Sequence, residues 1–227
     1  MTTFPGFPAD LQPFLADLAA HNDRAWFAAH RARYEQALLE PAKAFVTAML
    51  EPLAAFDPPV HGAPQVNGSI FRIARDTRFS ADKTPYKTNA AFHFWHGDDK
   101  KSGASFYLGI EPDGVHAGAG AFAIPKERIG RYRDAVAGPR GVALAEAVDA
   151  LRAQGWTTGG EATVRVPRGF DPDHPRAELL KHKGFYVVRE LDLGEALHGP
   201  QVVDHVIEGF RAAAPVARWL QEQVLAG

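Results

Sequence analysis

The sequence predicts an α+β fold, an antiparallel sheet covered by N-terminal and C-terminal helices. Apolar residues recur at helical spacing over 8–55. Over 68–122 the spacing drops to two, and short turns rich in Gly, Pro and Asp separate the runs. Such turns imply antiparallel neighbours, because parallel pairing needs a long crossover. Helical and strand patterns mix from 125 to 227. No repeat, low-complexity run or linker divides these regions, so 1–227 reads as a single domain.

In order, Phe4 and Phe7 alternate with Pro5, Gly6 and Pro8 as an extended apolar arm. Leu11, Phe14, Leu15 and Leu18 then mark a helix from Ala9 or Asp10, with Pro13 in its first turn, where a missing N–H costs little. Asn22 or Asp23 caps a second helix, whose stripe is Trp26, Phe27, His30, Tyr34 and Leu38. Pro41 should kink or restart it before Phe45, Val46, Met49, Leu50 and Leu53. Ile70 to Ala74 reads as a strand with one wet face, followed by strands at 90–95, 106–110 and 115–119. Pro125 suits the N1 position of a helix through Ala137, and Val142, Ala145, Val148 and Leu151 mark another. A short strand at Thr163–Val166, a turn at Asp171–Pro175, a short helix at 177–180 and a strand at 185–190 follow. The last helix carries Val202, Val206, Ile207 and Phe210, with Pro215 as the expected kink.

Apolar content of 46% and charged content of 23% are those of a globular protein. A net charge of −2 argues against a general nucleic-acid binder, whose whole face would be basic. With no cysteine, disulfides, thiolate nucleophiles and sulfur-bound zinc are excluded. The first residues lack the basic and apolar regions of a secretory signal, and no apolar run approaches about 18 residues, so a cytoplasmic location and no membrane span are expected.

Against this background Ser69–Asn89 stands out. Arg72, Arg75, Arg78, Lys83 and Lys87 against Asp76 and Asp82 give the stretch a net +3, leaving −5 for the rest of the chain. Arginine forks suit phosphate or carboxylate because they donate two parallel hydrogen bonds. Ser80, Thr84 and Thr88 add neutral donors, Tyr86 offers a ring, and Lys181, His182 and Lys183 are candidates to complete the rim. Asp76 is placed to orient an arginine or act as a general base. The same charges also read as a structural ion-pair network, and both readings stand at this level.

Three other motifs are weaker. Ser80–Lys83 has S-x-x-K spacing, which needs a helix, and Pro85 breaks it. Gly118–Ala123 imitates a dinucleotide fingerprint but follows a hairpin instead of opening a helix, so it reads as close backbone packing. His93 and His96, near Asp98 and Asp99, point to opposite faces of a strand, so no metal site is expected.

The segments FLADLAAHNDRAWFAAHRARYE, FRIARDTRFSADKTPYKTN and PRGFDPDHPRAELLKHKGFY together resemble the DUF2461 family, a set of bacterial and fungal proteins. The resemblance spans nearly the whole chain and implies one cytoplasmic domain. Arg75, Asp76, Arg78, Phe79, Ser80, Asp82, Lys83, Pro85, Tyr86 and Lys87 fall on its signature, as do Asn22, Trp26, Phe27, Pro41, Lys181, His182 and Lys183. His21-Asn22 departs from the asparagine pair common in relatives. The resemblance carries no reaction with it. The residues themselves lead to a pocket for a small anionic, phosphorylated ligand. Phosphoester or nucleotide hydrolysis suits such a pocket better than redox work, since no cofactor motif survives; a nucleic-acid module using Tyr86, Phe79 and Trp95 as stacking platforms is the alternative.

Overall fold

Phe4 and Phe7 sit in an arm that proline and glycine keep extended, and both are buried against Phe45, with ring centroids 5.6 and 5.1 Å away. The computed structural model describes residues 4–101 and 103–226. Helix α1 (Leu11–Ala20) buries Leu11, Phe14, Leu15 and Leu18, the predicted stripe. Asp23 caps α2 (Arg24–Ala29) by accepting from the backbone N–H groups of Ala25 and Trp26.

The second helix restarts near Pro41, as expected, and is also broken at His30. After α2 come α3 (Arg31–Tyr34), a π-helical turn (Glu35–Leu39) and α4 (Glu40–Ala54). His30, at φ −106° and ψ 17°, separates α2 from α3; Pro41, which has no N–H to continue the ladder and whose ring crowds the preceding turn, accounts for the π turn before α4.

The sheet has the order β1-β2-β3-β4-β6-β5, antiparallel throughout. Its strands are β1 (Val60–His61), β2 (Ala90–His96), β3 (Ser105–Ile110), β4 (Val115–Ala121), β5 (Thr157–Gly159) and β6 (Phe185–Glu190). Phe92, Phe94, Phe106, Leu108, Ile110, Ala117, Ala119, Phe185 and Val187 are buried on one face. Helix α8 (Val202–Leu220) lies on that face, with Gly209 where the helix passes Ala117. On the other face His93, Trp95, Tyr107, His116 and Tyr186 are only half-buried. Alternation thus produces a sheet with one dry face and one open face.

Helices α5 (Ile129–Ala137), α6 (Gly141–Arg152) and α7 (Ala177–Leu180) complete the elements. Gly120, at φ +146°, passes so close to β6 that an added Cβ would lie 2.3 Å from the Phe185 carbonyl oxygen, the close packing read from Gly118–Ala123.

Three expectations are corrected. Residues 70–74 form isolated bridges in place of a strand, Ile70 to Phe92 and Ala74 to Tyr86, because the chain leaves the sheet edge after Phe71. The buried stripe of α6 is Gly141, Leu144, Val148 and Leu151, and Val142 is exposed. Thr163–Val166 is not a strand and Val164 is 92% exposed; Thr157–Gly159, beside β6, is the strand instead. Thr163 donates its backbone N–H to Lys181 O and Ala162 bridges to His182, in a turn that has no ladder to extend.

Candidate functional site

The basic stretch folds into two parts, set by where the chain meets β2. Residues 63–70 form a tight turn: the Ser69 and Gln65 N–H groups donate to Ala63 O at 2.8 Å, and the buried Ser69 hydroxyl accepts from Ala63 N. Asn67 supplies the left-handed residue that this turn needs, at φ 62°. The chain then runs along the β2 edge, with His93 N donating to Ser69 O and Phe71 N to Ala91 O. This places Phe71 on the open face of the sheet, edge-on to His93 and Tyr107 at 6.2 and 6.3 Å.

A hairpin-like loop begins there. Lys87 N donates to Ile73 O and Arg75 N to Pro85 O, both at 2.8 Å. Asn22 clamps the returning limb: its side-chain amide donates to Tyr86 O and accepts from Tyr86 N, each at 3.0 Å. The Tyr86 ring stacks on Phe27 at 4.2 Å. Asn22, one of the two capping candidates, therefore ties the helices to the loop while Asp23 does the capping.

Inside the loop the charges satisfy one another. Arg75 binds the Asp82 carboxylate and the Thr84 hydroxyl. Arg78 makes a fork to Asp76 at 3.0 and 2.7 Å, and Lys83 donates to Thr77 O at 2.9 Å. The Arg78 hydrogen bonds hold the Asp76 carboxyl down to about 2. Asp82 is likewise held at about 2, first by hydrogen bonds from Thr84 and then by Arg75. A carboxyl so placed orients an arginine and is a weak base near neutrality. Ser80 and Lys83 lie in irregular chain, so the S-x-x-K spacing makes no helical pair.

At the base of the loop the charges are not satisfied. Arg72, Lys87, Lys100, Lys101 and His93 line a cavity of about 310 Å³ with Asn67, Gly68, Ile70 and Phe71. No carboxylate is among its lining residues, and Arg72 and Lys87 make no ion pair among the described residues. The Lys87 ammonium rests 4.8 Å from the centre of the Phe71 ring. Burial, then the nearby Arg72, pushes its pKa down. Burial, with Lys100 adding to it, holds His93 down to about 4, so this imidazole is neutral at ordinary pH. Two larger cavities, about 460 and 510 Å³, flank the Asn22–Tyr86 clamp; Arg24, Arg75 and Lys83 line the first, and Arg75 and Lys87 line the second together with Asp82 and Glu111, with Arg75 and Lys83 already engaged within the loop.

Of the residues singled out in the sequence, Arg72 and Lys87 meet at this cavity, and Arg75, Asp76, Arg78, Ser80, Lys83 and Tyr86 build the loop beyond it. Lys181 and Lys183 do not join them. They pair with Glu178 and Glu161, each at 2.6 Å, and precede β6 at the end opposite the start of β2, with β3 and β4 between. Lys100 and Lys101 read in the sequence only as a polar hairpin turn. The Lys100 ammonium reaches back to the carbonyl of Asn67, which brings that turn over the cavity. The lone signal for it was two adjacent lysines beyond a strand whose edge the basic stretch occupies. Among the described residues no His, Asp and Glu grouping forms a metal site, and no helix is long and apolar enough to cross a membrane.

These features define a class: an α+β protein with a carboxylate-free cationic cavity beside the open face of an antiparallel sheet. The chain belongs to the family described as "Conserved hypothetical protein (DUF2461)", whose family model matches residues 10–219. Comparison with curated proteins and with solved structures finds no match.

Proposed function

We propose that the protein binds a small phosphorylated anion in the cavity formed by Arg72, Lys87, Lys100 and Lys101. One observation carries the reading: these four cations converge on a space of about 310 Å³ with no carboxylate in its lining. Like charges held together without a counter-ion repel, and a bound anion relieves that repulsion. The volume lies in the range of small-ligand sites. Arg72 supplies the fork, the lysines add point charges, and Asn67 and the neutral His93 add uncharged hydrogen-bonding groups. The loop of Arg75, Asp76, Arg78, Ser80, Lys83 and Tyr86 holds the Arg72 and Lys87 limbs in register, with Asp76 orienting Arg78. If the ligand reacts there, phosphoester or nucleotide hydrolysis fits, because converging cations stabilise charge on phosphoryl oxygens. A cytoplasmic setting belongs to the same reading.

Titration with inorganic phosphate tests it. Saturable binding that weakens in Arg72→Ala and Lys87→Ala, at unchanged melting temperature, is the expected result. Collapse of the melting temperature with phosphate binding intact would overturn it.

A nucleic-acid interface is the second reading, favoured by Phe79, which is 95% exposed under the Arg78 guanidinium. Single-stranded oligonucleotides would then bind with a steep salt dependence that Phe79→Ala reduces. A compact anion pocket predicts a shallow dependence and no effect of Phe79.

A further inference from the structure

The three lysines of the cavity differ in a way that anion binding alone does not need. Lys101 is exposed, and Lys100 is tied to the Asn67 carbonyl. Lys87 is half-buried, its side chain makes no hydrogen bond or ion pair among the described residues, its ammonium lies against the Phe71 ring, and it shares the cavity with the Arg72 guanidinium. Three lysines elsewhere are neutralised by carboxylates, Lys43 by Glu40, Lys181 by Glu178 and Lys183 by Glu161. A half-buried lysine beside another cation, with no carboxylate paired to it among the described residues, is in the environment that frees a neutral amine for nucleophilic work.

We infer that Lys87 is an imine-forming nucleophile toward small aldehydes or ketones that carry a phosphate or carboxylate. The inference rests on the anion-cavity reading, since Arg72, Lys100 and Lys101 must hold the anionic end while Nζ meets the carbonyl. The uncharged Nζ attacks the carbonyl carbon to give a carbinolamine. The two amine protons pass to the departing oxygen, which leaves as water, and a C=N bond replaces C=O. No electron is gained or lost and no co-reactant is needed. Lys87 shares this cavity with Arg72, Lys100, Lys101 and the neutral His93, which can relay a proton, and borders a second cavity with Arg75, Asp82 and Glu111. The lowered pKa of Lys87 agrees with this environment.

Pyridoxal 5′-phosphate, which joins an aldehyde to a phosphate, is the probe. The folded protein is incubated with it, reduced with borohydride to fix any imine, and mapped by peptide mass spectrometry, with and without excess inorganic phosphate. The expected result is modification concentrated at Lys87, suppressed by phosphate and weaker with unphosphorylated pyridoxal. Lys87→Arg should lose the modification at an unchanged melting temperature, which separates chemistry from folding. Phosphate-protected modification of Lys100 or Lys101 with Lys87 untouched would overturn the imine inference and leave the anion cavity standing. Modification spread over surface lysines such as Lys43, indifferent to phosphate, would overturn both.

Discussion

The base and the tip of one loop carry the same kinds of residue and treat them oppositely. At the tip, Arg75 is answered by Asp82 and Arg78 by Asp76, and Lys83 by a backbone carbonyl. At the base, Arg72 and Lys87 face Lys100 and Lys101 across a cavity without a carboxylate in its lining. The local excess of positive charge is therefore not spread along the stretch. Self-neutralised charge shapes the loop, and the surplus is delivered to one place. On the proposed reading, that is the difference between a scaffold and a binding site.

The comparison can be broken by mutation. The largest effect should come from the Arg72→Ala/Lys87→Ala double variant: phosphate affinity drops about 100- to 10,000-fold, since hydrogen bonds to charged groups contribute about 1.5–3 kcal/mol each. Its melting temperature should not fall, because removing unpaired like charges relieves repulsion. Next is Asn22→Ala, which leaves the Tyr86 N–H and carbonyl without their partners. A loss of about 1–3 kcal/mol in a chemical denaturation curve is expected, with faster amide exchange confined to the 73–87 loop.

A pH series gives a smaller effect. His93 titrates at about 4 in the folded protein against an ordinary 6.5. As pH falls the unfolded chain takes up the proton first, so this group's contribution to stability is full above 6.5 and is lost toward 4. A bound anion favours protonated His93. Sulfate, which does not titrate in this window, should bind more tightly as pH falls from 6.5 to 4, and His93→Gln should flatten that dependence. The smallest effect belongs to Arg78→Ala. Its partner pair is solvent-exposed, so neither melting temperature nor phosphate affinity should change at neutral pH. Asp76 and Asp82 are held at about 2 against an ordinary 3.8, so their contribution is present above 3.8 and fades as pH falls toward 2. Proteolysis of the loop should accelerate only in that acid range.

Much of the fold was legible in the sequence because periodicity reports burial directly. Leu11, Phe14, Leu15 and Leu18, or Phe92 and Phe94, could not face water on any other arrangement. Where the readings missed, a local rule met a tertiary one. The alternation at Ile70–Ala74 looks like a strand, but the clamp of Asn22 on Tyr86 and the bridge from Ala74 to Tyr86 draw that segment off the sheet. The site was half legible for the same reason. Charge counting found the stretch holding Arg72 and Lys87, but could not separate a cation paired two residues away, as Arg78 is, from one left unpaired. Lys100 and Lys101 enter through a return of the chain that no spacing encodes, and Lys181 and Lys183 fell on the family signature yet serve the far end of the sheet.

The central claim is that an anion goes to the base of the loop and not to its tip. Backbone amide NMR shifts followed during phosphate titration test this directly, since each amide reports its own surroundings. The account predicts saturable shifts at Asn67–Arg72, Lys87, His93 and Lys100–Lys101, with little change at Asp76–Lys83. Shifts concentrated at Asp76–Lys83, or none that saturate at the base, would contradict it.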